Sequence, residues 1–94
     1  MNNLESIETV CENLKETLIK KNKAYGQSAF KKPLLYPFIT GKAAILVRMS
    51  DKVQRLQALQ QGEQDNGETF NDTILDLAGY CVLYLACKEY GDDE

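Results

Sequence analysis

The chain opens on a helical pattern of apolar positions. Leu4, Ile7, Val10, Cys11, Leu14 and Leu18 follow i, i+3, i+4, i+7 spacing with Glu and Lys between them, which predicts an amphipathic helix from about Leu4 to Tyr25. Asn2 with Glu5 three places on forms a capping pair at its start. Lys20, Lys21 and Lys23 suit the negative end of its dipole, and Gly26 is a natural stop. From Gly26 to Gly41 the periodicity vanishes, and Lys31-Lys32-Pro33 and Tyr36-Pro37 forbid a regular helix. The segment nevertheless carries Phe30, Leu34, Leu35, Tyr36, Phe38 and Ile39, which predicts a packed flap over a site or a cap on the open end of a bundle.

A second helix is expected from about Lys42 to Gln60 after an N-cap at Thr40, with Ile45, Leu46, Met49, Val53, Leu56 and Leu59 as its apolar stripe. The polar turn Gln61–Gly67 leads into a third helix, opened with help from Thr69 and Asp72 and ending near Tyr90, before a frayed tail Gly91–Glu94. Beyond Asp76 the third helix is apolar or aromatic on every side as far as Cys87, so burial on more than one side is expected. The short connection makes the second and third helices antiparallel neighbours. The fold prediction is all-α: one domain, residues 1–94, an antiparallel bundle of three main helices completed by oligomerisation. A chain of 94 residues buries too small a core to cover such a helix alone.

Composition narrows the chemistry. There is no histidine, so His-based triads, His-ligated zinc and imidazole acid–base catalysis are excluded. Cys11, Cys81 and Cys87 are odd in number and lack metal-ligand spacing; they read as core residues in a reducing compartment. A net charge of −3 argues against duplex nucleic acid as a partner. The start of the chain is unlike a signal peptide, and the apolar run Leu77–Cys87 is too short to span a membrane. The expectation is a soluble, cytoplasmic protein.

Two charged strips stand out. Glu68, Asp72 and Asp76 recur at intervals of four and would climb one helical face. Arg48, Asp51, Lys52 and Arg55, three and four apart, form a mainly basic strip on the preceding helix. The bland reading is solvated i,i+4 salt bridges. The functional one is a Mg²⁺–phosphate site, with carboxylates on the metal and Arg and Lys on the remaining phosphate oxygens.

Three blocks, Lys21-Asn22-Lys23-Ala24-Tyr25-Gly26-Gln27-Ser28, Arg48-Met49-Ser50-Asp51-Lys52-Val53-Gln54-Arg55-Leu56 and Asp72-Thr73-Ile74-Leu75-Asp76-Leu77-Ala78-Gly79-Tyr80, together resemble the nucleotide modification associated family of phages and bacteria. That family is related to the MazG-like all-α nucleoside triphosphate pyrophosphohydrolases. The resemblance implies a helical domain that associates with copies of itself and takes a nucleotide with Mg²⁺. On that reading Asp51, Glu68, Asp72 and Asp76 are the candidate metal ligands, with Asp51, Asp72 and Asp76 catalytic. Arg48, Lys52 and Arg55 would bind phosphates, and Lys21, Tyr25 and Ser28 would close over base or sugar. The implied activity is Mg²⁺-dependent hydrolysis of a (deoxy)nucleoside triphosphate by a protein of phage or prophage type. MazG-like enzymes, however, usually carry Glu-x-x-Glu on one helix and Glu-x-x-Asp on a later one. Here the matching helices offer Asp51 alone and then Asp72 and Asp76 at a spacing of four. The alternative is therefore a non-catalytic module that binds or sequesters a nucleotide, for example in phage counter-defence.

Overall fold

The computed structural model describes residues 2–24, 28–62 and 69–88. Over them the chain forms α1 (Asn3–Ala24), a 3₁₀ turn (Ser28–Phe30), α2 (Gly41–Gln60) and α3 (Phe70–Ala86), with no strand. The helices start where polar side chains can satisfy backbone N–H groups left over in a first turn. The Asn2 side chain accepts from the Glu5 N–H at 2.8 Å, while the Asn2 N–H donates to the Glu5 carboxylate at 2.9 Å. Thr40 Oγ1 accepts from the Ala43 N–H at 3.0 Å. Thr69 and Asp72 form a reciprocal capping box at the start of α3. At its other end α3 stops at Ala86, short of the expected Tyr90, because Cys87 turns extended (φ −70°, ψ 129°); the predicted tail lies outside the described residues.

The second and third helices make most of the tertiary structure. Lys42, near the start of α2, lies over the Tyr84 ring near the end of α3. Ten residues further along α2, Lys52 reaches Asp76, so the two helices run antiparallel. Between them lies a small core of Ile45, Leu83 and Cys87, with Leu18, Phe30, Met49, Tyr80 and Tyr84 packed around it. Thr73 is also fully buried, and its hydroxyl is satisfied by donating to the Thr69 carbonyl at 3.1 Å. At Gly79 α1 lies close against α3: a Cβ there would lie 3.3 Å from Leu18 Cδ2 and 3.8 Å from Leu14 Cδ1.

Several expectations of burial are not met within one chain. Helix α1 has no buried residue; Leu14 and Leu18 are half-buried, but Leu4 is 73% exposed, and Ile7, Val10 and Cys11 are exposed with it. The cause is geometric. A helix of 22 residues is ~33 Å long, and its close approach to Gly79 of α3 is around Leu14 and Leu18. The flap is likewise not packed: Leu34, Leu35 and Phe38 are 96%, 98% and 84% exposed. Among its described residues Ala29, Phe30, Pro33, Ile39 and Thr40 are half-buried and Gly41 is buried. On α3, Leu85 is exposed, and Ile74, Leu75 and Val82 are each close to half exposed. The radius of gyration, 15.0 Å, exceeds the ~12–13 Å of a compact domain this long. Among the described residues no helix is long and apolar enough to cross a membrane.

Candidate functional site

Helices α1, α2 and α3 and the 3₁₀ turn enclose one side of a cavity of about 430 Å³, within the ~300–1,000 Å³ range of small-molecule sites. Its walls are built from the same amphipathic periods that form the core. Leu14 and Leu18 on α1 and Leu83 on α3 supply apolar surface, and Gly79 leaves room where a side chain would meet Leu18. Polar groups converge from all four segments: Lys21 and Asn22 from the end of α1, Ser28 from the turn, Arg48 from α2, Asp76 and Tyr80 from α3. Four of the residues singled out in the sequence, Lys21, Ser28, Arg48 and Asp76, thus face one space.

The rest of the predicted set is distributed differently. Lys52 does not line the cavity; its ammonium pairs with the Asp76 carboxylate at 3.2 Å, both side chains partly exposed. The two strips therefore do meet, through this pair. Asp51 is exposed and Arg55 half-buried on α2, and neither lines the cavity. Asp72 serves the backbone: its carboxylate accepts from the Thr69 N–H at 3.2 Å, and its own N–H donates to Thr69 Oγ1 at 3.0 Å. It too lies off the cavity lining. Of the acidic ladder, Asp72 and Asp76 lie on α3, which begins at Phe70 with Thr69 as its cap. Glu68 and Tyr25 lie outside the described residues.

This arrangement bears on the metal. Mg²⁺ binds through one or two carboxylates plus phosphate oxygens and water. Among the described residues no group of three acidic, histidine or cysteine side chains is placed to share an ion. Of the proposed ligands among the described residues only Asp76 lines the cavity, and Lys52 already neutralises it. The described residues do not make up the metal set expected from the sequence.

What the cavity offers instead is two cations, Lys21 and Arg48, amide and hydroxyl partners, an apolar wall and the Tyr80 ring. Sequence reasoning missed part of it. Asn13, Thr17 and Lys21 lie four apart on α1 and all line the cavity, a polar stripe visible in the sequence as i, i+4, i+8 but overshadowed by the apolar stripe beside it. The chain matches no protein-family model, no curated protein and no solved structure with which it was compared.

Proposed function

We propose that this chain is a nucleotide-binding module that holds the phosphate of its ligand between Lys21 and Arg48. The observation that carries the reading is the convergence of these two cations, from different helices, on one cavity with Ser28 and Asp76. Arg and Lys at a partly apolar, concave site bind phosphate oxygens through charge-assisted hydrogen bonds. The Tyr80 ring and the leucine wall would take the base. The nucleotide class itself rests on the resemblance of the Lys21–Ser28, Arg48–Leu56 and Asp72–Tyr80 blocks to the nucleotide modification associated family. In that setting the protein acts in the cytoplasm, as a phage or prophage module that withholds a nucleotide rather than consuming it. Association with a second copy completes the helical bundle and covers the apolar surface that one chain leaves open.

Binding without turnover is preferred because Asp72 serves the helix cap and Asp76 is paired with Lys52. Mg²⁺-dependent hydrolysis to a monophosphate and pyrophosphate is the second reading, favoured by the place of Asp76 in the same cavity as the cations. A panel of nucleotides screened by thermal shift, in EDTA and in Mg²⁺, separates the two. The expected result is a ligand that stabilises the protein in EDTA and is recovered unchanged. Arg48→Ala and Lys21→Ala should each weaken it by roughly 10- to 100-fold, since a hydrogen bond to a charged group contributes about 1.5–3 kcal/mol. Stabilisation and turnover seen only with Mg²⁺ would select the hydrolase; no shift with any nucleotide would end the nucleotide reading.

A further inference from the structure

The exposed first half of α1 and a second, apolar groove on the same helix are complementary to each other. Leu4, Ile7, Cys11, Leu14 and Leu18 are spaced three, four, three and four, the seam spacing of paired helices. Leu4 and Ile7, in the first half of that seam, are exposed, while Leu14 and Leu18 in the second half meet α3. Beside this half, on the flank away from the nucleotide cavity's polar stripe, runs a groove of about 500 Å³ between α1 and the end of α3. Leu18, Ile19, Val82 and Ala86 line it, with Lys15 and Lys23 among its lining residues.

Charge is divided along α1 in the same way. The half from Asn3 to Asn13 carries Glu5, Glu8 and Glu12 and no basic residue. The half from Leu14 to Ala24 carries four lysines against one glutamate, a net +3. An acidic apolar ridge and a basic apolar groove thus lie on one helix, pointing in opposite directions along it. A two-fold axis across the middle of α1 brings each ridge to the other copy's groove, which is the self-complementarity a symmetric dimer needs. A parallel alignment would set glutamate against glutamate instead.

We infer that two copies of this chain pair through antiparallel α1 helices, each laying Leu4 and Ile7 into the groove of the other between α1 and α3, whose near end Cys11 lines. Glu12 of one copy then lies opposite Lys15 of the other, with Glu8 between the partner's Lys15 and the partner's Lys23, and the lysines at the end of α1 face the partner's first turns. The existing Lys15–Glu12 pair, 3.0 Å long and more than half exposed, yields to this at little cost, because exposed pairs contribute only ~0–1 kcal/mol. The pairing rests on the association proposed above and is independent of the ligand.

Sedimentation velocity on the full chain tests it. The variants are Glu8→Lys/Glu12→Lys, Lys15→Glu/Lys23→Glu, and the chain carrying all four changes; they spare both the Asn2–Glu5 cap and the nucleotide cavity. The unaltered protein should dimerise reversibly, and the dimer should weaken as salt is raised. Each two-residue variant should dimerise about tenfold more weakly or worse, and the four-residue chain, its charges exchanged, should return close to the original. Circular dichroism confirms that each variant keeps its helices; should one unfold, the salt dependence of the unaltered dimer still decides. A protein monomeric at every concentration would overturn both this pairing and the association itself. A dimer indifferent to salt and to both charge reversals, or a four-residue chain no tighter than the two-residue ones, would overturn the antiparallel pairing alone.

Discussion

Asp72 shows how one carboxylate can satisfy two different readings of a sequence. Four residues before Asp76 and three after Thr69, it fits an acidic metal-binding ladder and a capping box equally well. The geometry assigns it to the cap, where it accepts the Thr69 N–H while Thr69 Oγ1 accepts its own. The consequence is specific. Thr69→Ala should destabilise the protein by about 1 kcal/mol, the usual cost of losing an N-cap side chain, and Asp72→Ala by a comparable or smaller amount. Neither should change nucleotide affinity measured at a temperature where both variants are folded. Urea midpoints and ligand titrations on the same samples check this. Unchanged stability with lost Mg²⁺-dependent turnover would return Asp72 to the metal. At Asp76 the decision lies with a neighbour on another helix, because the Lys52 ammonium 3.2 Å away is a contact that spacing along α3 does not reveal.

Among the elements, α2 and α3 form an antiparallel pair with a shared core, whereas α1 is held mainly where Leu14 and Leu18 cross Gly79. That crossing depends on the missing side chain. Gly79→Ala places a methyl group 3.3 Å from Leu18 Cδ2, the far end of a flexible side chain. A small shift there is offset by the ~0.8–1 kcal/mol of helix propensity that Ala gains over Gly, so the variant should stay within about 0.5 kcal/mol of the original. Gly79→Leu has no such outlet and should push α1 away. Its mark would be faster amide exchange confined to α1, together with loss of the nucleotide cavity that both helices line. If Gly79→Leu left α1 as protected as before, the crossing would not be what holds it.

For the molecule as a whole, the informative feature is how much apolar surface one chain leaves in water. Scattered exposed leucines are ordinary. Here Leu34, Leu35 and Phe38 in one short segment, Leu4, Ile7 and Val10 on one helix half, and Leu85 on another helix are all exposed. They are also concentrated in particular stretches of the described residues. The loop and α1 behave differently in prediction. With the side chains of Leu34 and Leu35 almost wholly exposed, Leu34→Ser/Leu35→Ser removes no buried contact and should alter unfolding free energy by less than about 0.5 kcal/mol. This is to be measured by denaturant titration at a concentration low enough for the monomer. A larger loss would mean that the loop is covered after all, by its own chain or by another.

The helices themselves were legible in the sequence, and for a local reason. Periodicity and caps act within one or two turns, so Asn2 with Glu5, Thr40, and Thr69 with Asp72 mark starts that the structure reproduces. The absence of histidine settled which chemistries to discard, because that exclusion needs no geometry. Burial and site assembly were not legible, because both depend on where helices of unequal length overlap. The run from Leu77 to Cys87 reads as buried all round, yet only Gly79, Leu83 and Cys87 of it are buried in one chain. The placing of Lys21, Arg48 and Asp76 on one cavity, and of Asp51, Arg55 and Asp72 off it, was decided by tertiary structure alone. Spacing of three and four puts side chains on one strip of a helix, but the crossing of a second and a third helix determines which part of that strip faces a ligand and which part faces water.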